Sequence, residues 1–313
     1  MYEKLVIVTR KTRLEELVER HNTRAQVKFI LEHSGHDGVG WEEYAAEDDA
    51  YRRSLEMLRR SLEVGLKVQL VERALVSTFS FTEKDVVVVV GQDGLVANTA
   101  KYVGEQPLIG VNPDPERFDG VLLPFRPLAA KAAVARVLEG RAKIRPVTLA
   151  EARLSDGQRL LGFNDLYLGA RTHVSARYRL RVGATGPEAW EPQSSSGVLV
   201  STGAGSTGWL SSLFNMASGV AALTGGKAGP PLKLVWEDPR LVFVVREPFV
   251  SRHSRADHTA GVLEAGSTLE LESLMPSGGV VFSDGVEADF LELNSGAVAT
   301  VCAAKQRAQL VVG

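Results

Sequence analysis

One cysteine, Cys302, is all that the 313 residues contain, so no internal disulfide can form and no cysteine-built zinc site exists. It follows the apolar stretch Val298-Ala299-Thr300-Val301 and reads as a structural thiol. An excess of one charge is missing too. The 36 basic side chains face 38 acidic ones, a formal net charge of -2, and no basic patch marks a nucleic-acid partner. No uncharged apolar run reaches the roughly 18 residues of a membrane span. The opening stretch, Met1 to Val8, is short, meets Arg10 and Lys11 at once and lacks a cleavage pattern, so the expected location is cytoplasmic with no membrane partner. Also absent are a Gly-Lys-Ser/Thr phosphate loop and a Gly-x-Gly-x-x-Gly dinucleotide fingerprint, which argues against a Walker-type ATPase and a standard dehydrogenase. What is present, 44% hydrophobic and 24% charged residues, is the balance of a soluble globular chain, long enough for two domains of about 150 residues each.

The hydropathy pattern divides in two. Lys4–Thr9 and the five valines of Asp85–Val90 are apolar on both faces, as in parallel strands covered by helices on each side. Leu66–Leu70 and Leu108–Val111 read as further strands, and Val27–Leu31 as another. Between them, Thr12 with Glu15 forms a capping box for a helix to about Arg20. Glu42–Glu63 is the longest helix, stopped at Gly65, and Pro127–Gly140 is a small one. The loop His33–Gly38 holds His33, His36 and Asp37 and reads as solvated rather than metal-binding.

Beyond Arg141 short strands take over: Arg145–Leu154, Arg159–Leu168, Ser175–Val182, Val198–Ser201, Leu232–Trp236, Leu241–Val245, Thr268–Leu274 and Gly279–Ser283. One helix, about Ser206–Ala222, interrupts them. The expected fold is an α/β N-terminal domain with a parallel sheet (residues 1–140) and a β-rich, sandwich-like C-terminal domain (141–292). The last segment, 293–313, is expected to return to the first domain.

Four places can carry chemistry. Gly91-Gln92-Asp93-Gly94-Leu95 follows the valine strand, where open parallel sheets bind ligands. Its glycines let a phosphate approach backbone N–H groups, and the segment Val96–Tyr102 can start a helix that favours anions. On spacing alone it serves equally as a β–α turn. The second place, Ser201-Thr202-Gly203-Ala204-Gly205-Ser206-Thr207-Gly208, offers four hydroxyls and three glycines before a helix, more than a cap needs. Third, Asn164-Asp165 sets an amide and a carboxylate in an apolar strand, where they suit a ribose diol, although alternation would turn them to opposite faces unless the strand ends there. Fourth, Ser283-Asp284-Gly285 reads as a hairpin turn.

In this order the motifs resemble the NAD kinase family, within the superfamily that also holds diacylglycerol and sphingosine kinases. That family's Gly-Gly-Asp-Gly-Thr loop corresponds to Gly91–Leu95, its Gly-Val-Asn to Gly110-Val111-Asn112 and its Asn-Glu pair to Asn164-Asp165. Its hydroxyl-glycine loop corresponds to Ser201–Trp209 and its late Asp-Gly to Asp284-Gly285. The Gly-x-Gly-Ser-x-x-Trp form of the loop, with Arg246-Glu247-Pro248-Phe249 further on, is closer to the divergent mitochondrial-type branch.

The resemblance implies phosphoryl transfer from ATP with Mg²⁺ to the adenosine ribose 2'-hydroxyl of NAD or NADH. Asp93 would then act as the base, and Gly91, Gln92 and Gly94 would hold phosphates. Asn112, Asn164, Asp165, Ser201, Thr202, Gly203, Gly205, Ser206, Thr207 and Asp284 would bind the dinucleotide. No protein-built metal site is implied, the magnesium being held by nucleotide phosphates, and a homodimer or homotetramer is expected. Two residues depart from the family loop: Gln92 stands for its second glycine and Leu95 for its threonine. Asp165 in place of Glu is one methylene shorter. These departures keep two alternatives open, a kinase of the same fold acting on a lipid or small polyol and a nucleotide-binding regulatory protein without transfer activity.

Overall fold

The structure is a computed structural model, and it describes residues 2–33, 40–62, 65–183, 190–227 and 229–313. The expected loop His33–Gly38, with His36 and Asp37, lies outside the described residues from position 34 onward. The chain forms two compact units, Met1–Arg145 with Gln309–Gly313, and Pro146–Ala308.

The first unit runs β1 (Lys4–Thr9), α1 (Arg13–His21), α2 (Arg24–His33), α3 (Trp41–Ser61), β2 (Lys67–Glu72), β3 (Asp85–Val90), α4 (Asp93–Ala100), β4 (Pro107–Val111) and α5 (Ala130–Leu138). Its strands pair in parallel in the order β2-β1-β3-β4, and Gln309 and Leu310 near the chain end pair in parallel with Pro107 and Leu108. Val6, Val8, Val87 and Val89 are as fully buried as Leu5, Ile7, Val86 and Val88 on the opposite face. Alternating polarity has no place in strands covered on both sides. One face packs on Tyr51 and Leu58 of α3, on Leu62 just after it, and on Ala133, Val134 and Val137 of α5.

Thr12 caps α1 through the reciprocal bonds of a capping box, as its sequence predicts. Val27–Leu31, by contrast, is helical. Thr23 accepts from the Gln26 N–H and starts α2, and only Val27 of that apolar run is buried.

The second unit continues with β5 (Lys143–Leu154), β6 (Arg159–Gly162), β7 (Asp165–Ala170), β8 (Ala176–Val182), β9 (Glu191–Ser195), β10 (Val198–Ser201) and α6 (Trp209–Leu223). It ends with β11 (Leu241–Val245), β12 (Ala260–Leu263), β13 (Leu269–Ser273), β14 (Gly279–Ser283), β15 (Val286–Glu292) and β16 (Val298–Val312). One sheet has the order β12-β11-β10-β7-β14-β15. Facing it, β16, β13, β8 and β9 pair in that order, and β5 pairs with β16 and β6. The inward side chains of both sheets, among them Leu166, Leu168, Tyr178, Val200, Phe243, Leu271 and Val301, share one core, which makes this unit a sandwich.

Leu232–Trp236, expected as a strand, is irregular: the Leu234 carbonyl accepts from the Ser206 hydroxyl and the Trp236 carbonyl from the Thr148 N–H of the neighbouring chain segment, without the ladder of a strand pair. Cys302 is half-buried, and burial pushes its thiol above the ordinary value, opposite to what a reactive thiolate needs.

Candidate active site

The parallel order β2-β1-β3-β4 reverses direction between β1 and β3, and the carboxyl ends at such a reversal are where an open α/β sheet binds its ligand. Those two ends carry Arg10 and the Gly91–Gly94 loop. Tyr51 ties them together: its hydroxyl accepts from the Arg10 N–H (3.0 Å) and donates to the Val90 carbonyl (3.1 Å). Burial, the largest influence on it, pushes the Tyr51 phenol up to about 12, so it stays neutral and able to donate.

The helix after β3 begins at Asp93, three residues earlier than its sequence implies, and Gln92 is its N-cap residue. The Gln92 carbonyl accepts from the N–H groups of Leu95 and Val96, which leaves those of Asp93 and Gly94 without an acceptor among the described residues. Gly94 is exposed, with nothing within 4 Å of where a Cβ would stand. The half-buried Asp93 carboxylate is fixed through one oxygen, Oδ1, which accepts from the Leu122 N–H at 2.7 Å. Its Oδ2 has no partner among the described residues. The Gln92 side chain makes no hydrogen bond to the cap, and Leu95 is buried, its Cδ2 only 2.9 Å from where a Gly91 Cβ would lie.

Gly110-Val111-Asn112 shapes the segment that reaches Asp93. A Cβ on Gly110 would lie 2.0 Å from the Leu122 carbonyl oxygen, so only glycine lets that segment lie against β4. The Asn112 side chain, buried, donates to the Phe118 carbonyl (2.9 Å) and accepts from the Asp114 N–H (3.0 Å). It clasps its own loop.

In the second unit the sequence motifs converge. The strand expected over Arg159–Leu168 is broken between Gly162 and Asp165, so Asn164 lies between β6 and β7 and the alternation argument does not apply to it. The break has a cause. The Asp284 carboxylate accepts from the N–H groups of Phe163 (2.9 Å), Asn164 (2.6 Å) and Asp165 (3.2 Å), gathering three successive donors. Asp284 and Gly285 form the two-residue turn between β14 and β15 with φ of 53° and 68°, the left-handed pair of a type I′ hairpin.

The Asn164 carbonyl in turn accepts from the Thr202 N–H at 2.9 Å. Three of the four hydroxyls in the glycine-rich loop point into the chain: Ser201 and Thr202 donate to the Asn164 carbonyl and Ser206 to that of Gly203. Thr207 alone is exposed. Gly203 and Gly205 are demanded by close backbone packing, since Cβ atoms there would lie 1.9 Å from the Val235 oxygen and 2.0 Å from the Asn164 oxygen. The Asn164 amide makes no hydrogen bond among the described residues and is half-buried; Asp165 is buried.

Beside this cluster on the same unit lies a cavity of about 330 Å³, lined by Tyr167, Trp209, Phe282, Arg246 and His173 among others. Trp209 and Phe282 stack on Tyr167, and the Arg246 guanidinium stands 5.3 Å from the Trp209 ring centroid. The first unit has a larger cavity of about 740 Å³, lined by Arg10, Lys11, Tyr51, Asp48 and Arg52 among others but by no member of the Gly91–Gly94 loop. Among the described residues no group of three or more His, Cys, Asp or Glu is placed to hold a metal ion, and no helix is long and apolar enough to cross a membrane. Arg10, Tyr51 and Leu122 escaped the sequence reading; the carboxyl-end rule, applied to β1 as well as β3, points to the first of them.

No family model matches the chain. Two curated proteins do: NAD kinase 2, mitochondrial, of Rattus norvegicus is 26% identical over 320 aligned positions, covering 80% of this chain and 74% of the relative. The Homo sapiens protein of the same name is also 26% identical, with 80% and 71% covered. Among solved structures, a yeast NADH kinase complexed with NADH superposes with a TM-score of 0.58 at 15% identity, over 100% of this chain and 84% of that one. An NAD kinase from Archaeoglobus fulgidus in complex with ATP gives 0.55 at 16% identity, over 98% and 93%. The chain therefore has the fold of NAD kinases, an α/β N-terminal unit followed by a β-rich one.

Proposed function

We propose that this protein is an ATP-dependent kinase of NAD or NADH that phosphorylates the 2'-hydroxyl of the adenosine ribose. The observation that carries the reading is Asp93: a carboxylate at a helix start beside the sheet's switch point, one oxygen held by the Leu122 N–H and the other without a partner among the described residues. Support comes from the likeness to NAD kinase 2 across most of the chain and from the shared fold of proteins solved with NADH and with ATP.

In this reading the ribose O–H hydrogen-bonds to Asp93 Oδ2. As the ribose oxygen bonds to the terminal phosphorus, its proton passes to Asp93 Oδ2, the bond from phosphorus to the bridging oxygen breaks, and ADP leaves with the electron pair. The Asp93 and Gly94 N–H groups bind phosphate oxygens at the start of α4. Mg²⁺, arriving on the triphosphate, supplies neutralisation of its charge. Asn164, with its amide free, and Asp165 take the dinucleotide's ribose, and Thr207 offers the one outward hydroxyl of its loop. Asn112, Asp284, Ser201, Thr202, Gly203, Gly205 and Ser206 act by holding these residues in place.

Neither departure from the family loop obstructs this chemistry. Leu95 is turned into the core and Gln92 keeps an amide without a partner at the cap. That favours an active enzyme over a binder that has lost transfer. The test is formation of NADP or NADPH from ATP, Mg²⁺ and NAD or NADH by the purified protein, with Asp93→Asn as the control. Tight NAD binding without product would establish the binder instead.

A further inference from the structure

We infer that Arg10 is a second phosphate-binding residue of the kinase site, a fixed guanidinium that receives the polyphosphate of the donor; this rests on the kinase reading above. The side chain is nine-tenths buried at the carboxyl end of β1. Its Cδ lies 3.6 Å from where a Gly91 Cβ would stand, which puts the side chain beside the first glycine of the Asp93 loop. Nε is buried with no hydrogen-bond partner among the described residues.

Of the five N–H donors of a guanidinium, two are occupied: Nη1 donates to the Lys11 carbonyl (3.0 Å) and Nη2 to Glu47 Oε1 (2.8 Å). An unfilled donor on a buried cation is costly unless something else fills it. The Tyr51 and Phe118 ring centroids stand 5.2 and 6.0 Å from its Cζ.

Everything around Arg10 keeps it rigid. Tyr51 fixes its backbone to the end of β3, and Glu47, only 2% exposed, fixes one terminal nitrogen. Glu47 also accepts from Arg13 Nε at 2.5 Å and stands 3.9 Å from Arg117 Nη1, so its charge is shared among three guanidinium groups. Arg13 is further paired with Glu43. With the local charges evenly balanced, Arg10 offers directed donors rather than a diffuse positive field. Such donors suit a polyphosphate oxygen, and a preset guanidinium there stabilises the charge that develops on a transferring phosphoryl group. It also stands in for what Leu95 lacks, the hydroxyl that a threonine would have brought to the loop.

The experiment measures binding of inorganic tripolyphosphate and of NAD by calorimetry in the wild-type chain, Arg10→Gln and Arg10→Lys, with ATP kinetics alongside. Arg10→Gln is expected to weaken tripolyphosphate binding by about tenfold or more and to lower kcat by roughly 10²-fold, with NAD affinity within about twofold of wild type. Arg10→Lys, which keeps the charge opposite Glu47 but not the fork, falls between the two. It carries the test if the glutamine variant does not fold. Unchanged tripolyphosphate binding and ATP KM in either folded variant overturn the inference and leave the kinase reading intact. Arg10-dependent tripolyphosphate binding with no NADP product does the reverse. A wild-type chain that binds no tripolyphosphate removes the inference by itself.

Discussion

Asp284 is the residue whose replacement says most about how the second unit is built. Its carboxylate serves three successive backbone donors, and its own N–H donates to the Asp165 carbonyl at 3.1 Å, so the turn and the Phe163–Asp165 corner hold each other. Hydrogen bonds to a charged acceptor contribute about 1.5–3 kcal/mol each, and three sharing one half-exposed carboxylate fall short of additive. Asp284→Ala therefore costs about 3–4 kcal/mol from lost acceptors, and a further ~1 kcal/mol because alanine tolerates a positive φ poorly. Asp284→Asn keeps one oxygen and the left-handed conformation, so its cost is about 1–2 kcal/mol. Urea unfolding of the three proteins, followed by calorimetric titration of the folded variants with NAD, separates a clamp from a ligand contact. A clamp gives a stability loss graded Ala over Asn, and NAD affinity falls in step as the corner carrying Asn164 loosens. An alanine variant within about 1 kcal/mol of wild type that nevertheless loses NAD affinity tenfold would refute the clamp, since only direct contact with the dinucleotide gives that pattern.

Other substitutions test the two units separately. Gly203→Ala forces a Cβ to 1.9 Å from the Val235 oxygen and should destabilise by more than about 3 kcal/mol in chemical denaturation. Gly94→Ala meets nothing within 4 Å and should leave stability unchanged or raise it by up to ~1 kcal/mol, while ATP KM rises because the new methyl crowds the phosphates. A lowered stability would show that the loop tolerates no Cβ even without ligand. Burial pushes the Glu47 carboxyl up, but hydrogen bonds from Arg10 and Arg13 outweigh it and hold the group below its ordinary 4.5. Its contribution to stability is therefore complete above the unfolded value and is lost as pH falls through the folded one. Glu47→Gln should be less stable than wild type at pH 7, with the gap closing on acidification, and a gap constant down to pH 3 would contradict that assignment.

Much of this was legible in the residues because the signals were physical ones with few competitors. Five consecutive valines fit little but a strand buried on both faces, and Thr12 with Glu15 is a reciprocal cap wherever it precedes a helix. The misreadings also have causes. Val27–Leu31 looks like a buried strand by composition, yet Thr23 and Gln26 just before it carry the spacing of a helix start, and Phe29 remains 62% exposed. The Glu191–Ser195 strand was hidden by Pro192, which is tolerated because β9 is the edge of its sheet. Ala260–Leu263, the other edge strand overlooked, is short and half glycine and alanine. Among the candidate residues, motif order singled out Asp93, Asn164 and Asp284, but residue type could not say how their side chains are partnered. The hydroxyls of Thr202 and Ser206 and the carboxylate of Asp284 turn inward to satisfy backbone groups, a tertiary demand that no local pattern encodes.

The most direct test of the central claim is a coupled assay for NADP or NADPH, with wild-type and Asp93→Asn proteins supplied with ATP, Mg²⁺ and NAD or NADH. The account predicts steady product from the wild type and loss of at least about 10²-fold in kcat for Asp93→Asn, with the unfolding midpoint little changed. Equal rates from the two proteins, or no product from a wild type that binds both nucleotides, would contradict it.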